Sequence, residues 1–284
     1  MLYTRVADSF PGEKESSGGL GSIASYQSCG AGDAEKGEGG GVASANWRFA
    51  SPGEHHGERS RDGSVHVTDE VFNSASHLIG LMFSLLGTVI LVSRASAMGD
   101  PWKIVSFSIY GASLVFLFTC SFLHHSIIAS ADTMQLLRLL DYTAIYPLIA
   151  GSFTPLCLVF YHKSTIGWSF FGVSWALGFG GMFMTIRHFK KLPKWMSMTL
   201  YIGLGWLGAF MSGKLYDKIG AQGLFWLAIG GVFYTIGGVI FSVEKPNPLP
   251  GCFGFHEIWH VSGETVQQSF HCCCKINAIL NNHR

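Results

Sequence analysis

Six apolar stretches, each near the length of a bilayer-spanning helix, constrain the fold of this 284-residue chain. A helix needs about 20 predominantly apolar residues to cross the hydrocarbon core of a membrane. The stretches cover residues 78–93, 104–123, 139–160, 165–186, 195–212 and 220–243. The segments between them, such as residues 213–218, are predicted to be short loops, which force an up-and-down bundle. We therefore expect an all-α integral membrane protein with six clear transmembrane helices.

The low charge content argues against an ordinary soluble enzyme. Only 13% of the residues are charged and 48% are hydrophobic, whereas an average soluble domain carries roughly 25% charged residues. The formal net charge of +1 gives no basic face for nucleic acid. We expect membrane lipids as partners, with a lipid substrate or a small-molecule ligand, and no nucleic acid.

The N-terminal segment, residues 1–64, has a different composition from the rest of the chain. It holds nine of the 18 acidic residues and is rich in Gly and Ser, as at residues 16–19 and 39–41. Such a segment cannot bury enough apolar surface to fold, so we expect a disordered tail. The predicted transmembrane domain follows at residues 65–260, and residues 261–284 form a polar, cysteine-containing C-terminus.

Basic residues in the loops indicate the orientation of a membrane protein. The fourth loop contains a cluster of four: Arg187, Lys190, Lys191 and Lys194. This cluster predicts that the fourth loop and the N-terminal tail lie on the cytoplasmic side.

Polar residues near or inside the spans are functional candidates, because ionisable groups at membrane depth are costly. Ser121 and His125 are four residues apart at the end of the second span, so they share one helix face. Asp141 lies near the start of the third span. His256 and His260 have the same four-residue spacing at the start of a predicted seventh helix.

The second span ends on the side of the membrane where the third span and the seventh helix begin. The three histidines, His125, His256 and His260, can therefore converge near Asp141. Three imidazoles with an open fourth position are the ligand set of a catalytic zinc site. Asp141 would ligate the ion, orient a histidine or act as general base. Ser121 would donate a hydrogen bond to a reacting oxygen or a ligand, or would bond to its own backbone.

Four further polar residues have structural explanations. His124 points away from its neighbour His125 around the helix, and we expect it at the membrane interface. Glu70, Asn73 and His77 fall at i, i+3 and i+7 on the helix that leads into the first span. We expect them to form a polar cluster that packs against the bundle, in preference to a direct role in metal binding.

Residues 256–260 also read HExxH, the metalloprotease pattern in which the Glu is the general base. A pattern with three fixed positions arises readily by chance, and no further ligand follows at the spacing that zincins use. A membrane-embedded metalloprotease is therefore a minor alternative.

Several motifs occur in order over about residues 67–260. They are Glu70-x-x-Asn73-x-x-Ser76-His77-x-x-Gly80, the run at residues 102–111, Ser121-x-x-x-His125, the runs at residues 139–146 and 149–155, and His256-Glu257-Ile258-Trp259-His260. This set resembles the hemolysin III branch of the progestin and adipoQ receptor family.

The resemblance implies a seven-helix membrane protein with zinc on the cytoplasmic side. The residues that match the family's zinc ligands are His125, His256 and His260, with Ser121 and Asp141 beside the metal. Kinship with alkaline ceramidase-like hydrolases implies a lipid amide hydrolase. The alternative is a receptor or a membrane-perturbing, cytolytic protein in which the metal is structural, since other relatives are hormone receptors and the bacterial branch is named for cytolysis.

The chain departs from the family after His260. The family continues there as an apolar helix, whereas residues 261–284 contain many polar residues and the triplet Cys272–Cys274. No window in this segment could span a bilayer at acceptable cost. Either the chain ends on an atypical seventh helix, or this C-terminus derives from a shifted reading frame or an alternative exon.

Overall fold

The computed structural model describes residues 48–49, 70–249 and 253–274, and helices dominate this part of the chain. They are α1 (Glu70–Ala97), α2 (Pro101–Ser126), α3 (Ala131–Tyr161), α4 (Thr165–His188), α5 (Lys194–Gly205), α6 (Ser212–Val243) and α7 (Phe255–Cys274). A short 3-10 segment, Trp206–Met211, joins α5 directly to α6. Five helical segments are long and apolar enough to cross a membrane, with Lys194–Val243 counted as one. The predicted all-α, multi-pass membrane architecture is confirmed.

Side-chain caps start three of these helices. Asp100 accepts hydrogen bonds from the backbone N–H groups of Trp102 and Lys103, and Pro101 occupies the first turn of α2. Ser130 and Ser164 cap α3 and α4 in the same way. These caps satisfy backbone donors that have no partner within the helix, so the helix boundaries are set by the local sequence.

The first helix presents polar and small residues to the bundle and apolar residues outward. Its buried positions recur every three or four residues over most of its length: Glu70, Asn73, His77, Gly80, Ser84, Leu91 and Ala95. Its exposed side includes Ile79, Met82, Phe83, Leu86 and Val89. This polarity is the reverse of that of a soluble amphipathic helix and suits a helix whose outer face meets lipid.

The segment at residues 213–218, predicted as a loop, is helical. Met211, Leu215 and Ile219 are buried at four-residue intervals, so one face of this segment packs against the bundle. The chain changes direction at Gly220 instead, where φ is +67°. A positive φ is accessible to glycine without steric cost, which explains why α6 bends at this residue.

The seventh helix forms despite its polar composition. It packs against α6 and α1, and it is not among the segments apolar enough to span a membrane. Ser262 and Ser269 are buried and donate to carbonyl oxygens four residues earlier, and Tyr110 donates to the amide oxygen of Gln267. Internal hydrogen bonds thus allow this helix to extend to Cys274, beyond the point where hydropathy alone would end it.

Of the predicted N-terminal tail, the structure describes only Arg48–Phe49, a two-residue strand that pairs antiparallel with Ile127–Ile128 between α2 and α3. The predicted disorder of the rest of residues 1–64 lies outside the described residues.

Candidate metal centre

Three histidines from two helices meet at one end of the bundle. His125 comes from the last turn of α2, and His256 and His260 come from the first two turns of α7. One ring nitrogen from each lies within 4.8 Å of those from the other two, and the residues are 1–4% exposed. The described residues therefore contain a buried group of three imidazoles that could hold a metal ion.

The spacing of two of the imidazoles fits a tetrahedral ion. The Nε2 atoms of His125 and His256 are 3.4 Å apart. Two nitrogens bound tetrahedrally to zinc at about 2.0–2.1 Å would be separated by about 3.3 Å. The distance between these two nitrogens therefore matches that expected for two ligands of one ion.

Glu70 orients His125. Its Oε2 lies 2.7 Å from Nδ1 of His125, and both side chains are buried. In a neutral imidazole, Nδ1–H then donates to the carboxylate and leaves the lone pair of Nε2 available to a metal. Sequence reasoning placed Glu70 in a packing cluster and missed this role. The available signal was an acidic residue on the same polar helix face as Asn73 and His77.

The other two members of that cluster contact α7. The rings of His77 and His260 are stacked, with centroids 3.9 Å apart and planes inclined by 28°. Nδ2 of Asn73 donates to Oε1 of Glu257 over 3.2 Å. The polar face of α1 therefore packs against the start of α7, the helix that carries two of the three histidines.

The Glu of the HExxH sequence is engaged in structural contacts. Oε2 of Glu257 accepts the backbone N–H of Gly254 at 2.8 Å, and Oε1 accepts from Asn73. The residue is 1% exposed. A general base needs an oxygen within hydrogen-bond reach of the attacking water, so this arrangement does not favour the metalloprotease alternative.

Asp141 and His124 flank the triad. Ligand atoms of Asp141, His124 and His125 also lie within 4.8 Å of one another. His124 is 1% exposed, and its ring centroid is 4.8 Å from that of His125, so it packs inside the bundle beside its neighbour. Its position at the membrane interface stays a prediction. Asp141 belongs to α3, which packs against α2.

Ser121 differs from other serines in the bundle. Its Oγ is buried and has no hydrogen-bond partner among the described residues. Ser84 and Ser262, in contrast, each donate to the carbonyl four residues earlier, as helical serines commonly do. Of the two alternatives predicted for Ser121, the structure therefore does not show the backbone bond, and the hydroxyl is available to a ligand.

A cavity of about 460 Å³ opens beside the triad. Its lining includes Ser121, Asp141, His256 and His260 at the metal centre. Further along, its walls are mostly apolar and include Leu148, Ile149, Phe153, Leu156, Trp226 and Leu227. A molecule with an apolar chain can therefore fill the cavity while its polar group reaches the histidines.

Comparison with known proteins identifies the family. A family model described as haemolysin-III related matches residues 65–263, which include every candidate site residue. The chain belongs to the hemolysin III family. This confirms the family resemblance seen in the sequence motifs.

The chain is similar in sequence to three proteins whose names relate to this family. The chain is 34% identical over 194 residues to the hemolysin-3 homolog of Bacillus subtilis (strain 168), covering 68% of this chain and 87% of that protein. It is 35% identical over 195 residues to hemolysin-3 of Bacillus cereus, covering 69% and 85%. It is also 26% identical over 231 residues to progestin and adipoQ receptor-like protein 1 of Caenorhabditis elegans, covering 77% and 51%.

Proposed function

We propose that this hemolysin III family protein is a membrane-embedded hydrolase of lipid amides that uses a zinc ion held by His125, His256 and His260. The observation that carries the proposal is the position of the buried triad beside an apolar cavity that His256 and His260 themselves line. Neutral imidazole ligands suit zinc, and three protein ligands leave one position open for water or substrate. Bound at these imidazoles, the ion would supply Lewis acidity to a carbonyl oxygen and to water.

The residues around the triad supply the remaining chemistry. Asp141 removes a proton from the water whose oxygen attacks the amide carbon, and it returns this proton to the nitrogen as the C–N bond breaks. The products are a fatty acid and an amine. Ser121 donates a hydrogen bond to the carbonyl oxygen as negative charge develops there. Glu70 holds His125 in the tautomer that keeps Nε2 available.

Membrane lipids are the substrate class that fits the cavity beside the histidine triad. The cavity walls are largely apolar, so they accommodate an acyl chain and exclude water from it. The outward-facing side chains of the bundle are also apolar, which supports lipid as the surrounding medium and as the source of the substrate.

We place the metal centre and the N-terminus on the cytoplasmic side. The basic cluster of the fourth loop lies at the same end of the bundle as the triad, because Nζ of Lys194 is 5.7 Å from the ring centroid of Phe255. Basic residues favour the cytoplasmic side. Protease accessibility of an N-terminal epitope tag in sealed membrane vesicles tests this orientation, and protection from cytoplasmic-side protease would contradict it.

Hydrolysis of a fluorescent ceramide by the purified, zinc-loaded full chain tests the enzymatic proposal. We expect release of the labelled fatty acid, and a decrease of about 10²–10⁴-fold in Asp141→Asn with zinc retained. Asp132→Asn is the matched control, because Asp132 is an exposed acid near the start of the same helix. Absence of turnover in the zinc-loaded protein, or equal turnover in Asp141→Asn, would refute the proposal.

A second candidate is a receptor or cytolytic protein in which the metal has a structural role. The names of two relatives, hemolysin-3 and progestin and adipoQ receptor-like protein 1, support this alternative. Dye release from liposomes by zinc-loaded protein, or a ligand response without lipid hydrolysis, would favour it over the hydrolase.

A further inference from the structure

The middle of α7 adds polar side chains to the cavity. His260, Glu264 and Gln267 follow one another at i, i+4 and i+7, and all three line the cavity. A rise of about 1.5 Å per residue places Glu264 about 6 Å and Gln267 about 10 Å along the helix axis from His260. A polar pair therefore lies one to two helical turns away from the metal centre. Both residues are beyond the family match, which ends at residue 263.

Glu264 has an unused acceptor in this cavity. Its Oε1 is buried and has no hydrogen-bond partner among the described residues. A buried polar atom is normally paired, because its lost hydration is otherwise uncompensated. A ligand that brings a donor to this oxygen would compensate for that loss.

Gln267 supplies the complementary donor. Tyr110 donates to its Oε1 over 3.2 Å, which directs the amide so that Nε2 remains the donor for a ligand. Side chains three residues apart on a helix are neighbours. The cavity therefore presents one acceptor and one donor side by side, at a distance from the histidines.

We propose that Glu264 and Gln267 form a subsite for a hydroxyl group on the acyl chain of the ligand. A hydroxyl donates to Oε1 of Glu264 and accepts from Nε2 of Gln267, whereas an ammonium group cannot accept and an ether cannot donate. The subsite selects hydroxylated acyl chains over unsubstituted ones. It deepens the proposed function, on which it rests in treating an acyl chain as part of the substrate.

Binding competition tests the subsite without requiring turnover. The purified, zinc-loaded full chain in detergent is offered equimolar octadecanoic acid and a hydroxyoctadecanoic acid, in a series with the hydroxyl at successive mid-chain carbons. Native mass spectrometry then gives the ratio of the two bound acids. We expect one or more positional isomers to be preferred about fivefold, the size that a net hydrogen bond provides.

Three variants test whether the preference for the hydroxylated acid depends on Glu264 and Gln267. Glu264→Leu removes the acceptor and brings the ratio to about one, and Gln267→Leu lowers it toward the same value. Glu264→Gln keeps an acceptor oxygen and retains part of the preference. Gln268→Leu is the matched control, because Gln268 is an exposed polar residue on the same helix, and its ratio stays that of the original chain.

The outcomes separate the subsite from the hydrolase. Equal binding of all isomers and octadecanoic acid, binding of neither acid, or an unchanged preference in folded Glu264→Leu and Gln267→Leu would each overturn the subsite. Circular dichroism establishes that these variants are folded. A hydroxyl preference in a protein that hydrolyses no lipid amide supports the subsite and refutes the hydrolase. Hydrolysis of a lipid amide without a hydroxyl preference supports the hydrolase and refutes the subsite.

Discussion

Oε2 of Glu70 lies 2.7 Å from Nδ1 of His125, although 55 residues separate the two in the sequence. The contact joins the first turn of α1 to the last turn of α2. It fixes the ring orientation and the tautomer of a candidate metal ligand. The polar face of α1 is therefore part of the candidate metal centre as well as of the helix packing.

Replacing this carboxylate is expected to weaken metal binding. Glu70→Gln removes the charged acceptor from His125, and loss of such an outer contact typically lowers metal affinity about 10- to 100-fold. Chelator competition on the purified protein measures the change. Asp132→Asn, which replaces an exposed acid, should leave the affinity unaltered. Equal affinities in the two variants would show that Glu70 has no role in positioning His125.

Removing the hydroxyl of Ser121 is expected to slow hydrolysis without loss of zinc. The donor acts on charge that develops during the reaction, so Ser121→Ala should lower kcat by about 10²-fold. Ser84→Ala is the control, because the Ser84 hydroxyl bonds to the carbonyl of Gly80. If Ser121→Ala and Ser84→Ala have the same kcat in the ceramide assay, the assigned role of Ser121 is incorrect.

A substitution at Glu257 distinguishes the proposed lipid hydrolase from the metalloprotease alternative. Both of its oxygens are engaged by Gly254 and Asn73, so we expect Glu257→Gln to change lipid hydrolysis by less than about tenfold, against the larger effect of losing a general base. Parallel assays with ceramide and with an unfolded protein substrate measure both activities. Proteolysis by the original chain that disappears in Glu257→Gln would instead support the protease.

Close helix packing predicts a different response from two glycines. A Cβ on Gly111 would overlap the side chain of Thr88 on the neighbouring helix, whereas nothing lies within 4 Å of a Cβ on Gly172. Gly111→Ala should therefore destabilise the fold by about 1–3 kcal/mol. Thermal unfolding in detergent compares it with Gly172→Ala, for which no loss is expected. Equal Tm values would contradict the close approach of α1 and α2.

The sequence predicted the helices better than their polar contacts. Apolar length located the six spans, but it could not show that α1 begins at Glu70, because the first two turns contain polar residues that face inward. It also could not distinguish the loop predicted at residues 213–218 from the observed helix, whose buried positions depend on neighbouring elements.

At the candidate site, helix parity and four-residue spacing pointed to His125, His256 and His260, which the structure brings together. The environments of single residues depend on packing between distant segments. His124 is buried inside the bundle, and the partner of His125 comes from α1. The spacing within one helix carries no information about either contact.

Zinc content is the most direct test of the metal centre. After zinc loading and dialysis, elemental analysis of the purified full chain should give one zinc per chain, and His125→Ala, His256→Ala and His260→Ala should each lose it. His188→Ala should retain the ion, because His188 is exposed at the end of α4. No zinc in the original chain, or undiminished zinc in His125→Ala, would contradict the assignment of this triad as the metal site.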